Sequence, residues 1–141
     1  MDTKKYDIIV IGSGPGGYVA SIRAAQLGFK VAIIEKESLG GICLNWGCIP
    51  TKALLKSAEV YNKMKHAADY GLIADQISFN FEAVIDRSRG VAEKMSKGIE
   101  FLMRKNNIEV IKGFGKLTGD KKVAVIHEGQ TIHVEADHII I

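Results

Sequence analysis

Tyr6-Asp7-Ile8-Ile9-Val10-Ile11-Gly12-Ser13-Gly14-Pro15-Gly16-Gly17 is the stretch that decides the fold of this 141-residue chain. Its first half is a β-branched run with almost no polar alternation. That pattern suits a strand covered on both faces, as in a parallel sheet. Its second half fits G-x-G-x-x-G. Beyond it, Pro15 to Leu27 carries Val19, Ala20, Ile22, Ala24 and Leu27 at helical spacing, and Gly28 stands where a C-terminal cap is expected. Lys30 to Ile34 is a second buried-type strand, closed by Glu35. The glycine pattern therefore has the context it needs, a βαβ unit with an acid at its end. Gly12 permits the tight turn, Gly14 lets the backbone approach a pyrophosphate, and Gly17 lets the helix pack close to the strand. The helix starting at Pro15 offers unpaired N–H groups to phosphates, and Glu35 is placed to accept hydrogen bonds from an adenosine ribose. The motif alone does not choose between FAD and NAD.

The second informative stretch is Gly40-Gly41-Ile42-Cys43-Leu44-Asn45-Trp46-Gly47-Cys48-Ile49-Pro50-Thr51-Lys52, which holds both of the chain's 2 cysteines. A helix pattern follows from about Cys43 to about His66, with Ala53, Leu54, Leu55, Ala58, Val60, Tyr61 and Met64 as apolar positions. In an ideal helix the Cα atoms of Cys43 and Cys48 would stand about 8 to 9 Å apart, and a disulfide tolerates less than about 7 Å. A bridge therefore requires a distorted entry turn. Gly47 supplies the flexibility, and Pro50 disfavours a helical Ile49. A helix N-terminus there would favour thiolate. Zinc needs about four ligands, and C-x-x-x-x-C gives two with no second pair nearby. The 4 histidines, His66, His127, His133 and His138, are scattered. Redox chemistry, a permanent bridge and inert burial are the readings that remain.

The rest of the chain reads as scaffold. Residues 69 to 79 form an irregular connection, and Asn80 caps a long amphipathic helix from Phe81 to about Lys105. Short strands follow at Ile108–Lys112, Gly115–Leu117, Lys122–His127 and Thr131–Glu135, with turns at Gly119-Asp120 and Glu128-Gly129. A last buried-type run, Asp137 to Ile141, ends without cap or turn, so the chain reads as cut inside a domain. The 19 Lys and Arg against 16 Asp and Glu are interspersed, and the net charge of +3 carries no nucleic-acid footprint. No apolar run approaches the roughly 18 residues of a membrane span. Met1-Asp2-Thr3-Lys4-Lys5 leads straight into a strand, so no signal peptide is expected, and the expected location is cytoplasmic.

Gly12-Ser-Gly-Pro-Gly-Gly17, Glu35-Lys36 and the stretch from Gly40 to Lys52 resemble the FAD-dependent pyridine nucleotide-disulfide oxidoreductases, most closely the branch that oxidises dihydrolipoyl groups. The resemblance implies an α/β, Rossmann-like FAD-binding domain: a parallel sheet with a βαβ unit plus a small antiparallel β-meander, here incomplete. Residues 1–141 would be its N-terminal segment, without the NAD-binding, central and interface domains. Cys43 would be the thiol that exchanges with substrate and Cys48 the thiol beside the flavin. Gly12, Gly14, Pro15, Gly17, Gly40, Gly41 and Cys43 would belong to the FAD site, with Glu35 and Lys36 at the ribose end. Lys52 would lie at the flavin ring, and Gly115, in Lys112-Gly-Phe-Gly-Lys116, beside the adenine. The implied acceptor is NAD, bound outside this chain. The implied partners are the lipoyl groups of 2-oxoacid dehydrogenase complexes and a second subunit in a homodimer. The family's histidine base has no match here, so the chain alone is expected not to turn over. Two alternatives accompany this reading: a sibling reductase acting on glutathione or mercuric ion, and a non-catalytic FAD-binding module with incidental cysteines.

Overall fold

The computed structural model describes residues 3–141. Met1 and Asp2, which open the stretch read as leading into the first strand, lie outside the described residues. Strand β1 spans Lys4–Ile11, helix α1 Pro15–Gln26 and strand β2 Val31–Glu35. Helices α2, Gly41–Asn45, and α3, Cys48–Lys65, follow, and then a single 3-10 turn at Ala67–Tyr70. Helix α4 runs from Phe81 to Lys105, and strands β3 to β6 occupy Glu109–Lys112, Phe114–Gly119, Lys122–His127 and Gln130–Ile140.

The six strands form one sheet in the order β3-β2-β1-β6-β5-β4. β1 pairs in parallel with β2 and with β6, and β2 in parallel with β3. β5 pairs antiparallel with β4 and with β6, which makes the meander. Two strands expected at the C-terminal end are one. β6 is paired antiparallel to β5 from Gln130 to Glu135 while its later residues continue parallel to β1 up to Ile140. The polar interruption at Glu135 to Asp137 reads as a break in sequence, but an extended chain passing between two partners needs no turn.

Side chains alternating along β2 sort into two cores. Ala32 and Ile34 pack with Ile9, Val123, Val125 and Val134 on the meander side, while Val31 and Ile33 pack with Val10, Leu44, Ile99 and Met103 on the helix side. That double cover is why β1 and β2 lack polar alternation. Each fully buried Ile or Val contributes about 1.5–3 kcal/mol. α4 begins where expected: the Asn80 side chain accepts the Ala83 N–H at 3.1 Å. Its buried Ser88, Ala92, Ile99 and Met103 form the inward stripe.

The helix expected from Cys43 to His66 is interrupted. α2 stops at Asn45 and α3 starts at Cys48, with Trp46 and Gly47 between. Ile49 is helical, contrary to the expectation from Pro50. Pro50 falls in the first turn of α3, where its missing N–H would have had no intrahelical partner anyway.

Candidate active site

β1 and β2 end side by side, and β1 is where the strand order turns back, with β2 on one side and β6 on the other. Ligands of open α/β sheets sit beyond the carboxyl ends of the strands at such a point. Here that place is a crevice of about 490 Å³, walled by Ile11 to Pro15, Ile34 to Glu37, Gly41 to Cys43, Trp46 and Gly113 to Gly115.

Its floor is the glycine turn. Gly12 has φ +96°, a backbone conformation closed to most side chains. A Cβ on Gly17 would run into the carbonyl oxygen of Gly12, so helix and strand are as close as the motif implied. Positions 12, 14 and 16 are different: a Cβ there meets nothing within 4 Å. Their bare backbone faces open space, as a cradle for a pyrophosphate requires. α1 starts after Gly14 with no side-chain cap bond and no acid in its first turn, leaving its first amides free for an anion.

Glu35 closes one end. Its Oε2 accepts from the Ser13 amide at 2.9 Å and from Ser13 Oγ at 2.6 Å, and its Oε1 accepts from the Glu37 amide at 2.9 Å. Burial would raise its pKa, but the hydrogen bonds from Ser13, Glu37 and Lys36 outweigh burial and hold it below the usual carboxylate value. A carboxylate has about four lone-pair sites, so Oε1 keeps room for a ribose hydroxyl. The donor set and the open glycine faces fit a dinucleotide.

Ser13 was not singled out by sequence reasoning, yet it joins three parts of the site. Besides holding Glu35, its carbonyl and its Oγ accept the Gly40 amide at 3.1 and 3.2 Å. The glycine turn is thereby fastened to the start of the cysteine segment. Gly40, φ +93°, leads into α2, and a Cβ on Gly41 would stand 3.0 Å from Gly14 Cα. A glycine pair is therefore required at 40 and 41. In sequence, its place between Gly12 and Gly14 was the one available signal.

Cys43 and Cys48 are joined in a disulfide with Cα atoms 4.6 Å apart. The break at Trp46-Gly47 makes this possible: the amides of both residues turn back to Ile42 O, at 2.9 and 2.7 Å. Cys43 lines the crevice and packs against the helix-side core, whereas Cys48 is exposed at the first position of α3.

The other expected positions divide. Pro15, Lys36, Gly41 and Gly115 line the crevice, and a Cβ on Gly115 would press on Ile11 and Ile34 at 3.3 Å. Gly40 is buried just behind the wall. Lys52 is exposed on α3 and is not part of the crevice lining. It lies one helical turn beyond Cys48, on the same face. Gly113, Phe114, Ile42 and Trp46 also line the crevice; Ile42 and Trp46 stand inside the cysteine stretch, but sequence reasoning gave them no role of their own. Among the described residues no group of three or more His, Cys, Asp or Glu could hold a metal ion, and no helix is long and apolar enough to cross a membrane.

The crevice at the switch point of the sheet thus has a disulfide cysteine, Cys43, on its wall. The chain belongs to the pyridine nucleotide-disulphide oxidoreductase family, whose pattern matches residues 6–141. Among named proteins it is 55% identical over 137 residues to a dihydrolipoyl dehydrogenase of Zymomonas mobilis, covering 96% of this chain and 29% of that protein. It is 52% identical over 136 residues to one of Rhizobium etli, covering 96% of this chain and 28% of that protein. A solved structure, the Cu(II) complex of an HOCl-induced flavoprotein disulfide reductase from Escherichia coli, superposes with a TM-score of 0.79 at 25% identity, covering 97% of this chain and 28% of that one. The chain thus spans under a third of the length of these relatives.

Proposed function

We propose that the chain is the N-terminal FAD-binding segment of a dihydrolipoyl dehydrogenase, supplying its cofactor cradle and its redox-active disulfide. The observation that carries this reading is the Cys43–Cys48 bridge on the wall of the crevice formed by the glycine turn. The identity of about half of all residues to dihydrolipoyl dehydrogenases points to the substrate. Bound in the crevice, FAD would supply two-electron transfer between the dithiol and NAD, which binds outside this chain.

The chain's own residues perform the thiol chemistry. A substrate thiolate attacks the sulfur of Cys43, forming a mixed disulfide and releasing Cys48 as thiolate. The second substrate thiol displaces Cys43, so the substrate leaves oxidised and both cysteines are left reduced. Cys48, at the N-terminus of α3, is then held as the anion by the helix end. Lys52, a turn further on, would place a cation at the edge of the ring system. Gly12 to Gly17 would orient the pyrophosphate of FAD, and Glu35, fixed by Ser13, would receive its ribose. Lipoyl groups of 2-oxoacid dehydrogenase complexes, a homodimeric parent and a cytoplasmic setting complete the reading.

The test uses the full-length protein. Dihydrolipoamide should reduce NAD, and Cys43→Ser and Cys48→Ser should each lower kcat by orders of magnitude while FAD content is kept. Turnover with glutathione or mercuric ion instead of lipoamide would move the protein to a sibling branch. Retained activity in Cys48→Ser would sink the disulfide mechanism.

A further inference from the structure

α2 has only five residues, Gly41–Asn45, too few to be stable as an isolated helix. Leu44 anchors it in the helix-side core and Ser13 accepts the Gly40 amide at its start, and side chains of α4 add further hydrogen bonds. Ser96 Oγ donates to Leu39 O at 2.8 Å. Arg89 Nη1 donates to Asn45 O at 3.0 Å. Ser88 Oγ donates to Pro50 O at 3.2 Å, and Arg87 Nη1 to Ala53 O at 2.8 Å. The four acceptors are all backbone carbonyls, and they lie before, between and after the two cysteines. Asn45 O is a last-turn carbonyl of α2 that no intrahelical N–H can reach. Among the described residues neither Arg87 nor Arg89 makes an ion pair. Their guanidinium groups serve the cysteine segment and no carboxylate.

We infer that α4, through Arg89 above all, is a redox-state-dependent clamp that keeps Cys43 and Cys48 together once their bridge has been opened. The inference rests on the disulfide reading above. In the oxidised protein the covalent bond itself ties α2 to α3, so the clamp is fully formed but is not needed to keep the sulfurs together. After reduction that tie is gone, and Gly47 leaves the junction pliable. The hydrogen bonds to Asn45 O and Pro50 O then keep α2 from swinging away from α3. They preserve the effective concentration of one thiol at the other, which sets how readily the bridge re-forms. Arg89 is a positioning residue: it acts through the backbone of α2 and touches neither sulfur.

The experiment equilibrates full-length, cofactor-loaded protein with reduced and oxidised dithiothreitol and counts protein thiols. Hydrogen exchange at the amides of Trp46 and Gly47 is followed in both redox states. Arg89→Met removes the donors and keeps the apolar stem; Arg89→Lys keeps one donor; Ser88→Ala removes the donor to Pro50 O. Arg89→Met should move the equilibrium about two- to fivefold toward the dithiol. Exchange at Trp46 and Gly47 should speed up in the reduced protein only, and Arg89→Lys should recover part of both effects. Ser88→Ala should act in the same direction.

Equal loosening in both redox states would make the contacts merely structural and overturn the proposal, as would an unchanged equilibrium. The dithiothreitol couple makes no use of the substrate, so the clamp can fail while lipoamide turnover stands. If dithiothreitol releases no thiols from the unsubstituted protein, the disulfide reading fails and the clamp falls with it.

Discussion

The glycine turn at Gly12–Gly17 and the cysteine segment at Gly40–Ala53 wall the same crevice but are held in different ways. The turn is built from its own backbone. Its glycines do the work at 12 and 17, and the acid that completes it stands at the end of the adjacent strand. The cysteine segment has little local support. It is broken at Trp46-Gly47, begins with a five-residue helix, donates its Gly40 amide to Ser13 on one side and accepts hydrogen bonds from α4 on the other. Backbone geometry makes the turn rigid by itself, whereas the cysteine segment, pliable at Trp46-Gly47, has rigidity lent to it by side chains from elsewhere.

The sharpest way to break this comparison is Gly17→Val. If the turn is held by close packing, the new side chain collides with Gly12 O and cannot be relieved by a rotamer change. Chemical denaturation should show a loss of about 3 kcal/mol or outright failure to fold. FAD should be lost along with stability. A well-folded Gly17→Val protein would show that the turn is less tightly set than the cysteine segment.

Ser13→Ala tests the joint between the two regions. It removes a charge-assisted bond to Glu35 and an acceptor for the Gly40 amide, for a loss of about 1.5 kcal/mol by the same measurement. The acid limb of the stability curve adds a further check. The pKa of Glu35 in the folded protein lies below its ordinary value of 4.5. Its contribution is therefore present above that value and is lost as pH falls through the depressed folded value. In Ser13→Ala the folded pKa moves back up, so the fall of Tm below pH 4.5 should be shallower than in the unsubstituted protein.

Asn80→Ala probes the base of the clamp. Without the side-chain bond to the Ala83 amide, the first turn of α4 frays at a loss of about 1 kcal/mol. The cysteine segment is contacted further along α4, so reactivity of the thiols toward a soluble reagent should stay unchanged. Smallest of all should be Lys97→Gln. The Lys97–Glu93 pair is exposed on α4, and no change in the unfolding midpoint is expected.

Much of the site was legible before any coordinates. Gly12, Gly14 and Gly17 announced their roles because each follows from the absence of a single carbon atom. Cys43 and Cys48 stood out as a pair, but their spacing left redox chemistry, a permanent bridge and inert burial open; the structure shows them bridged. Less legible was Ser13, one of several serines in the chain, whose importance depends on Glu35 and Gly40 arriving beside it. Trp46 and Ile42 stood in the cysteine stretch without an assigned role for the same reason: they line the crevice only because α2 turns their segment toward the glycine loop.

Local sequence alone determined the βαβ unit, the nucleotide turn and the need for a distorted backbone between the cysteines. Those features depend on steric limits within a few residues, and the order of the letters encodes them directly. Tertiary structure decided that β6 runs unbroken from its antiparallel partner β5 to its parallel partner β1, and that Pro50 sits in the first turn of a helix without ending it. It also decided that Arg87, Ser88, Arg89 and Ser96 reach across to the carbonyls around the disulfide. Hydrogen bonds between segments so far apart in the chain depend on the packing of α4 against α3, and no periodicity within either segment records which backbone atoms will meet.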